Sequence, residues 1–505
     1  MTDAVVRPIA GEPNKMMITV IAMAAVTMQL LDTTIANVAL PHMEGSLGAT
    51  VDQIAWVLTS YIVAAAISTP VTGWLAARFG RRRLFVSALI GFTIASALCG
   101  VAMTLPQIVA FRIMQGLFGA SLVPVSQAIL LDTFPRNEVA RAMGIFSMGV
   151  MIAPIIGPIL GGFLTDQYSW RWCFYINVPL GILAVVGALT FIPETVAATG
   201  RKLDWFGFAF LTLAIGSLQL ALDRGEQRGW FQSPEIMTEA TLVVFGLYMF
   251  VAHSLTTKKP FFDIRLFQDR TYVVSTVIMM LIFVVYYGSL TLAPQMLQNQ
   301  FNYPVLTAGL IMAPRGLGTI AAILAVGRLN RFVDPRTLIG VGLAISGFAL
   351  YVMSGWSLMI GPGDIILLGL VQGVGSGMIN VPITTVAFIT LAGDLRNEAT
   401  GFYNLMRNIG SAIGISVSTS QLVEYAQTNH SRLGEFMTRF RHVSLPRGAA
   451  GMERLNLNIT QQAMMIAYVN VYWLLGVLCL AIIPLVFFLR TPKGQAPAAA
   501  ASAGE

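Results

Sequence analysis

Fourteen stretches of this chain are apolar for long enough to cross a lipid bilayer, and that leaves few folds open. They fall at about 16–40, 54–76, 84–104, 107–131, 142–165, 177–193, 203–222, 237–255, 271–294, 305–328, 337–356, 364–392, 399–423 and 464–489. A helix needs roughly 20 apolar residues to span the hydrocarbon. Inside lipid every backbone N–H and C=O must find its partner within the protein, so a spanning run of this length reads as a helix. Composition agrees: 56% of residues are hydrophobic and 11% charged, against about 25% charged in ordinary soluble proteins. A water-soluble fold would lack the side chains to cover its surface, and so apolar a chain is no disordered one. The sequence predicts an all-α polytopic membrane protein with 14 transmembrane helices and little chain left for a globular domain. The first apolar run is too long for a cleavable signal peptide and lacks a convincing cleavage site.

Lysine and arginine choose the orientation. With the N-terminus inside, the inner segments hold Arg7, Lys15, Arg78, Arg81, Arg82, Arg83, Arg136, Arg141, Arg201, Lys202, Lys258, Lys259, Arg265, Arg270, Arg328, Arg331, Arg336, Arg396, Arg490 and Lys493. Short outer loops hold only Arg171, Arg224 and Arg228. Both termini are therefore expected in the cytoplasm. The net charge of +7 reflects this bias and does not indicate nucleic-acid binding. The segment 424–463 is expected to be a long outer loop.

The chain also repeats itself. Gln115-Gly116 recurs as Gln372-Gly373, 257 residues on. Arg136-Asn137-Glu138 recurs as Arg396-Asn397-Glu398, 260 residues on, and the turn at Gly73 has a weaker echo at Gly327, 254 on. Spans 1–6 thus match spans 9–14 in the same orientation, with spans 7–8 inserted between them. The expected division is a six-helix bundle over 1–195, an inserted helix pair over 196–260, a second six-helix bundle over 261–490 and a disordered tail over 491–505. Two parallel six-helix halves about an axis along the membrane normal are a transporter arrangement.

Asp32 is the one carboxylate well inside a span. It lies nine residues from Pro41, about 13 Å at 1.5 Å per residue. A bare charge there costs roughly 3 kcal/mol or more, so it must be paired, hydrated or protonated. Gln29, one turn earlier, suggests a polar lining. Asp32 reads as a proton-binding or cation-binding carboxylate, with a structural ion pair as the alternative. Arg112 is the expected partner, and Arg112, Gln115, Gly116 and Gly119 form one helical stripe. A nearby guanidinium favours the carboxylate and desolvation favours the acid, so a change in their separation would move a proton; the alternative is that Arg112 pins helices. Arg315, near mid-depth after Pro314, reads as repelling cations, binding an anionic substrate group or locking two helices. Asn404, Arg407, Asn408 and Ser411 form another polar stripe that must face protein or water; Asn404, Arg407 and Asn408 read as lining a substrate cavity, with helix packing as the alternative, and Gln29, Gln115 and Arg315 are candidates for the same cavity. Tyr286 and Tyr287 are candidates for an adaptable apolar pocket.

In span 5, Pro154 and Pro158 remove two backbone donors and are expected to kink the helix, while Gly157 and Gly161 allow close packing. This run suits a pivot between halves. The turn from Gly73 through Arg78, Gly80, Arg81 and Arg82 to Arg83 is at least a positive-inside anchor, with a gating role as the other reading. Cys99, Cys173 and Cys479 are scattered, so neither disulfide nor metal is expected. No cofactor is expected, nothing supports hydrolysis, and the chain does not read as an enzyme. Without a P-loop, ATP does not drive it directly.

The motifs Leu31-Asp32-Thr33-Thr34-Ile35-Ala36-Asn37-Val38-Ala39-Leu40-Pro41, Gly73 to Arg83, Arg112 to Gly119, Ala153 to Gly162, Trp170 to Pro179 and Leu222 to Gly225 are specific enough to name. Over about residues 16–490 the chain resembles the 14-span drug:proton antiporters of the major facilitator superfamily, the EmrB/QacA group, with the EmrB side the nearer match. The resemblance implies the major facilitator fold and a bacterial inner-membrane multidrug efflux protein that exports amphiphilic toxic compounds, antibiotics among them, against inward protons. It also implies a periplasmic adaptor of the EmrA type and an outer-membrane channel of the TolC type as partners. The rival readings are a facilitator or exporter dedicated to one metabolite, lipid or siderophore, and a non-transporting receptor or scaffold. One departure stands out: the loop motif of this superfamily usually carries an acid near Ala77, and here it is alanine.

Overall fold

The computed structural model describes residues 14–135, 138–194, 203–257, 260–330, 332–391, 395–436 and 449–489. Among the described residues the regular structure is all helical. Helices α1 to α14 coincide with the fourteen apolar runs. The first six are α1 (Lys15–Leu47), α2 (Trp56–Ser68 and Thr72–Phe79), α3 (Arg81–Val101), α4 (Leu105–Thr133), α5 (Val139–Gln167) and α6 (Trp172–Phe191). The inserted pair is α7 (Trp205–Arg228) and α8 (Pro234–Thr256). The last six are α9 (Arg270–Asn299), α10 (Val305–Leu329), α11 (Pro335–Met353), α12 (Pro362–Ile389), α13 (Arg396–Phe436) and α14 (Ala449–Val486). Among the described residues, eleven helices are long and apolar enough to span a membrane, or twelve if the two pieces of α2, bent by 56°, count as one. The remaining two apolar runs fall on α5 and α13. The tail 491–505, Arg136, Arg201, Lys202, Lys258, Lys259 and Arg331 lie outside the described residues.

Polar caps mark where helices begin. Asn14 accepts from the Met17 amide at the head of α1, Asp204 from Gly207 at the head of α7, and Asp269 from Thr271 and Tyr272 at the head of α9. Each satisfies amides that the first helical turn leaves without intrahelical partners. Prolines at 41, 294, 314 and 382 lie inside continuous helices. The expected run 142–165 is also one continuous helix, α5; the side chain of Pro154 is outside the described residues.

Packing follows the internal repeat. In the first six helices α1 packs on α5, α4 and α6, α2 on α4, and α3 on α4 and α6. In the last six the same contacts recur eight helices later: α9 on α13, α12 and α14, α10 on α12, and α11 on α12 and α14. The two sets meet along α5 with α10 and α12, and along α13 with α2 and α4. Helix α7 packs on α2, α13 and α8, whereas α8 buries only Ile236 and Gly246 and leaves Val244, Tyr248 and Leu255 exposed, the pattern of a lipid-facing helix.

The segment 424–463 departs from the expected loop. Helix α13 continues to Phe436 and α14 begins at Ala449, so most of the segment is helix. The two extensions run about 20 Å past the apolar spans at 1.5 Å per residue. His430 Nε2 and Asn456 Oδ1, 3.1 Å apart, tie them together. Hydropathy misses such arms because their polar residues satisfy backbone geometry as well as apolar ones do.

Candidate functional site

The basic turn at Gly80 and the head of α13 lie at one end of the bundle, the basic end, where Asp132 meets Arg81 and Arg396; the arms of α13 and α14 stand at the far end. Midway between them, on α1, Asp32 is 1% exposed. Its Oδ2 accepts from Arg112 Nη1 at 2.5 Å. Its Oδ1 accepts from Gln115 Nε2 and Asn177 Nδ2, each at 2.8 Å. The stripe on α4 thus delivers both Arg112 and Gln115, and α6 delivers Asn177. Arg112, fully buried, also donates from Nε to the Val57 carbonyl at 2.9 Å and from Nη1 to Gln115 Oε1 at 2.8 Å. Its guanidinium lies 4.2 Å from the Tyr61 ring centroid. Asn177 continues the network to Ser96 Oγ at 3.0 Å, and Ser96 to the Phe174 carbonyl at 2.9 Å. A buried ion pair is stable only when further hydrogen bonds satisfy its remaining atoms; here both carboxylate oxygens, Arg112 Nε and Arg112 Nη1 are bonded, while Arg112 Nη2 and Asn177 Oδ1 are buried without a hydrogen-bond partner among the described residues. Sequence reasoning paired Asp32 with Arg112 and put Gln115 on the Arg112 stripe as a cavity residue; the structure turns Gln115 onto Asp32 and adds Asn177 and Ser96, which the sequence did not single out. Gln29 faces the hydroxyl of Tyr61, whose ring covers Arg112, rather than Asp32.

The other expected site residues are distributed elsewhere. Arg315 on α10 is 4% exposed, donates from Nη2 to Ser289 Oγ at 3.1 Å and lies 4.9 Å from the Tyr286 ring centroid. Arg407 on α13 is buried over Phe283 at 5.6 Å. Tyr286 and Tyr287 sit between them on α9, with ring centroids 5.5 Å apart. Asn404 donates from Nδ2 to Gln127 Oε1 on α4 at 2.7 Å, a bond between the two six-helix sets. Asn408 is partly buried.

Glycines set how closely the helices approach. A Cβ at Gly157 would collide with Thr34 Oγ1, and one at Gly161 would sit 3.2 Å from the Ile35 backbone. The glycine face of α5 therefore meets α1 within its own set, with Pro158 on the same turn. Other residues of α5 reach the second set: Ile159 packs on Gly309 and Gly144 faces Ile323.

At the basic end, Gly80 has φ +85, a conformation that favours glycine, and it turns the chain from α2 into α3. Arg78 lies over Trp74 at 5.5 Å. Arg81 pairs with Asp132 at the end of α4, and Asp132 Oδ1 also accepts from Arg396 Nη1 of α13 at 2.9 Å. Arg82 donates to the Leu189 carbonyl, and its guanidinium is 4.0 Å from Glu194. A Cβ added at Gly401 of α13 would sit 3.8 Å from the Gly73 amide nitrogen. Asp132 was not singled out from the sequence. The signal was the missing acid at Ala77: a buried arginine in that turn still needs a carboxylate, and α4 supplies it.

The sequence profile of the Major Facilitator Superfamily matches residues 22–415. The fatty acid resistance protein FarB of Neisseria gonorrhoeae is 35% identical over 480 residues, 93% of this chain and 94% of that protein. The multidrug export protein EmrB of Escherichia coli K12 is 33% identical over 506 residues, 97% of this chain and 98% of that protein. Among solved structures, the human organic anion transporter MFSD10 (TETRAN) superposes with a TM-score of 0.58 at 13% identity, covering 92% of this chain and 100% of that one. The proton:xylose symporter XylE gives 0.58 at 14% identity, covering 94% and 96%. At those identities the structures speak for the fold alone.

Proposed function

This chain belongs to the major facilitator superfamily, and from that premise we propose that it is a proton-coupled exporter of amphiphilic toxic compounds that works by alternating access. The observation that carries the reading is the Asp32 node: an acid at mid-depth, sealed from water, with charge-sensitive bonds to α4 and α6. Adding a proton removes the charge that Arg112, Gln115 and Asn177 hold. Arg112 keeps the Val57 carbonyl, Gln115 Oε1 and the Tyr61 ring, so the ties from α1 to α4 and to α6 are the ones that weaken. The contacts of Gly157 and Gly161 couple α1 to α5, and α5 lies along α10 of the other half. A proton on one side chain thereby shifts the contact between halves. One charge crossing 100 mV releases about 2.3 kcal/mol, enough for roughly a 50-fold substrate gradient.

In this reading the halves are residues 1–195 and 261–490, with 196–260 as an inserted pair. The protein sits in the bacterial inner membrane with its basic end and both termini in the cytoplasm. Asp132, between Arg81 and Arg396, latches the cytoplasmic side, and substrate entry from that side requires the latch to open. The arms of α13 and α14 then stand in the periplasm, where an adaptor of the EmrA type leading to a TolC-type channel would dock. Proteoliposome flux tests the scheme. Accumulation should collapse with an uncoupler, and Asp32→Asn should abolish gradient-driven accumulation while leaving energy-independent exchange of substrate. Undiminished proton-driven transport by that variant would refute the coupling role. A panel of unrelated amphiphiles separates a broad exporter from a carrier dedicated to one compound.

A further inference from the structure

The two halves build the same node with opposite electrostatic outcomes. Ser289 stands 257 residues after Asp32, the interval that also separates Gln115 from Gln372. In the first half Gln115 Nε2 donates to Asp32 Oδ1 at 2.8 Å; in the second, Gln372 Nε2 donates to Ser289 Oγ at 3.1 Å. The hydroxyl has replaced the carboxylate, but a guanidinium remains. It now comes from α10: Arg315 stands 254 residues after Tyr61, the residue whose ring covers Arg112. The backbone pairing is kept, since Gly116 packs on the Tyr61 carbonyl and Gly373 on the Arg315 carbonyl.

Among the described residues no carboxylate pairs with Arg315. The ionisable groups acting on it are the phenols of Tyr286 and Tyr472, and its Nε and the Tyr472 hydroxyl are buried without hydrogen-bond partners. Arg407 likewise has no carboxylate partner among the described residues, and its ionisable neighbours are Tyr287 and Tyr403. The two cations are joined by an aromatic patch on α9. Phe283 lies 5.7 Å from Tyr287 and 6.1 Å from Tyr286, centroid to centroid. A buried charge is stable only when something compensates it. Here the described residues supply aromatic faces and, for Arg315, a hydroxyl acceptor, and no anion.

We propose that Arg315, with Ser289, Gln372 and Tyr472, receives the carboxylate of an anionic amphiphile, that Arg407 flanks it, and that Phe283, Tyr286 and Tyr287 take the apolar body. This rests on the exporter reading and narrows its substrates to include organic carboxylates. A guanidinium is suited to the role because it binds a carboxylate through two parallel hydrogen bonds.

Isothermal titration of the full chain in lipid nanodiscs tests the site without any proton gradient. The probes are 2-naphthoate, 2-naphthamide and naphthylmethylammonium, matched in apolar body. The naphthoate should bind, and the amide and the cation should bind about tenfold more weakly or less. Arg315→Gln should weaken naphthoate about tenfold to hundredfold, and Arg315→Lys by less. Ser289→Asp, which gives Arg315 the carboxylate its counterpart has, should abolish naphthoate binding. Equal binding of naphthoate and naphthamide to the unmodified protein overturns the proposal, and that comparison needs no variant to fold. Binding of chloride with no binding of naphthoate also overturns it, in favour of an inorganic-ion site. If naphthoate binds as expected while the unmodified protein shows no proton-driven flux, the exporter reading fails and the site stands.

Discussion

At the residue scale, Asp32 and Arg112 stabilise each other and neither is stable alone. Removing one partner of a buried pair leaves the other charge uncompensated, a loss of about 3–5 kcal/mol. Arg112→Ala should therefore lower the thermal unfolding midpoint of the purified protein steeply. Arg112→Lys should fall between, since a lysine keeps the charge but not the several bonds that Arg112 makes to Asp32, Gln115 and Val57. The pair was legible in the sequence because a charge at mid-depth has so few ways to survive. Asn177 and Ser96 were not: an asparagine or serine near a span end is ordinary, and only folding shows that Asn177 reaches an acid 145 residues away. Asp132 was hidden for the same reason, because acids at span ends are usually solvated.

At the element scale, the helices were readable from hydropathy and their lengths were not. Apolar runs report what lies in lipid, so α13 and α14 were shortened to their buried parts and their polar arms were taken for loop. Likewise the sequence marked Gly157 and Gly161 as a close-packing face but not its partner, since any helix could fill that groove. The partner is α1, at Thr34 and Ile35. Overpacking such a contact costs about 1–3 kcal/mol. Gly157→Leu should lower the unfolding midpoint, and it should slow substrate flux more than Gly45→Leu, a site with no atom within 4 Å of an added Cβ. The same test applies to Gly414, whose Cβ would meet the Val284 backbone in the second half.

At the scale of the whole molecule, the internal repeat predicted two like halves, but not how they touch. Asp132 to Arg396 and Gln127 to Asn404 hold the basic end together. Asp132→Asn should raise the rate at which the thiol of an Asn408→Cys variant is labelled from the cytoplasmic side, and the exchange Asp132→Arg with Arg396→Asp should restore part of the protection. Unchanged labelling would show that the ion pair does not hold that end shut. The seams between halves are also unequal. Helices α5 and α10 meet from Ile159–Gly309 to Gly144–Ile323, whereas α2 meets α13 beside Gly73 and Gly401 at the basic end. Towards the far end α7 holds both: Asp223 bonds Thr59 of α2, the Leu222 carbonyl accepts from Ser416 of α13, and Trp230 just beyond α7 donates to Ser420. The two sides of this transporter therefore cannot swing open alike: one is a direct joint, and the other hangs on a third member that must let go of a neighbour before the mouth can widen there.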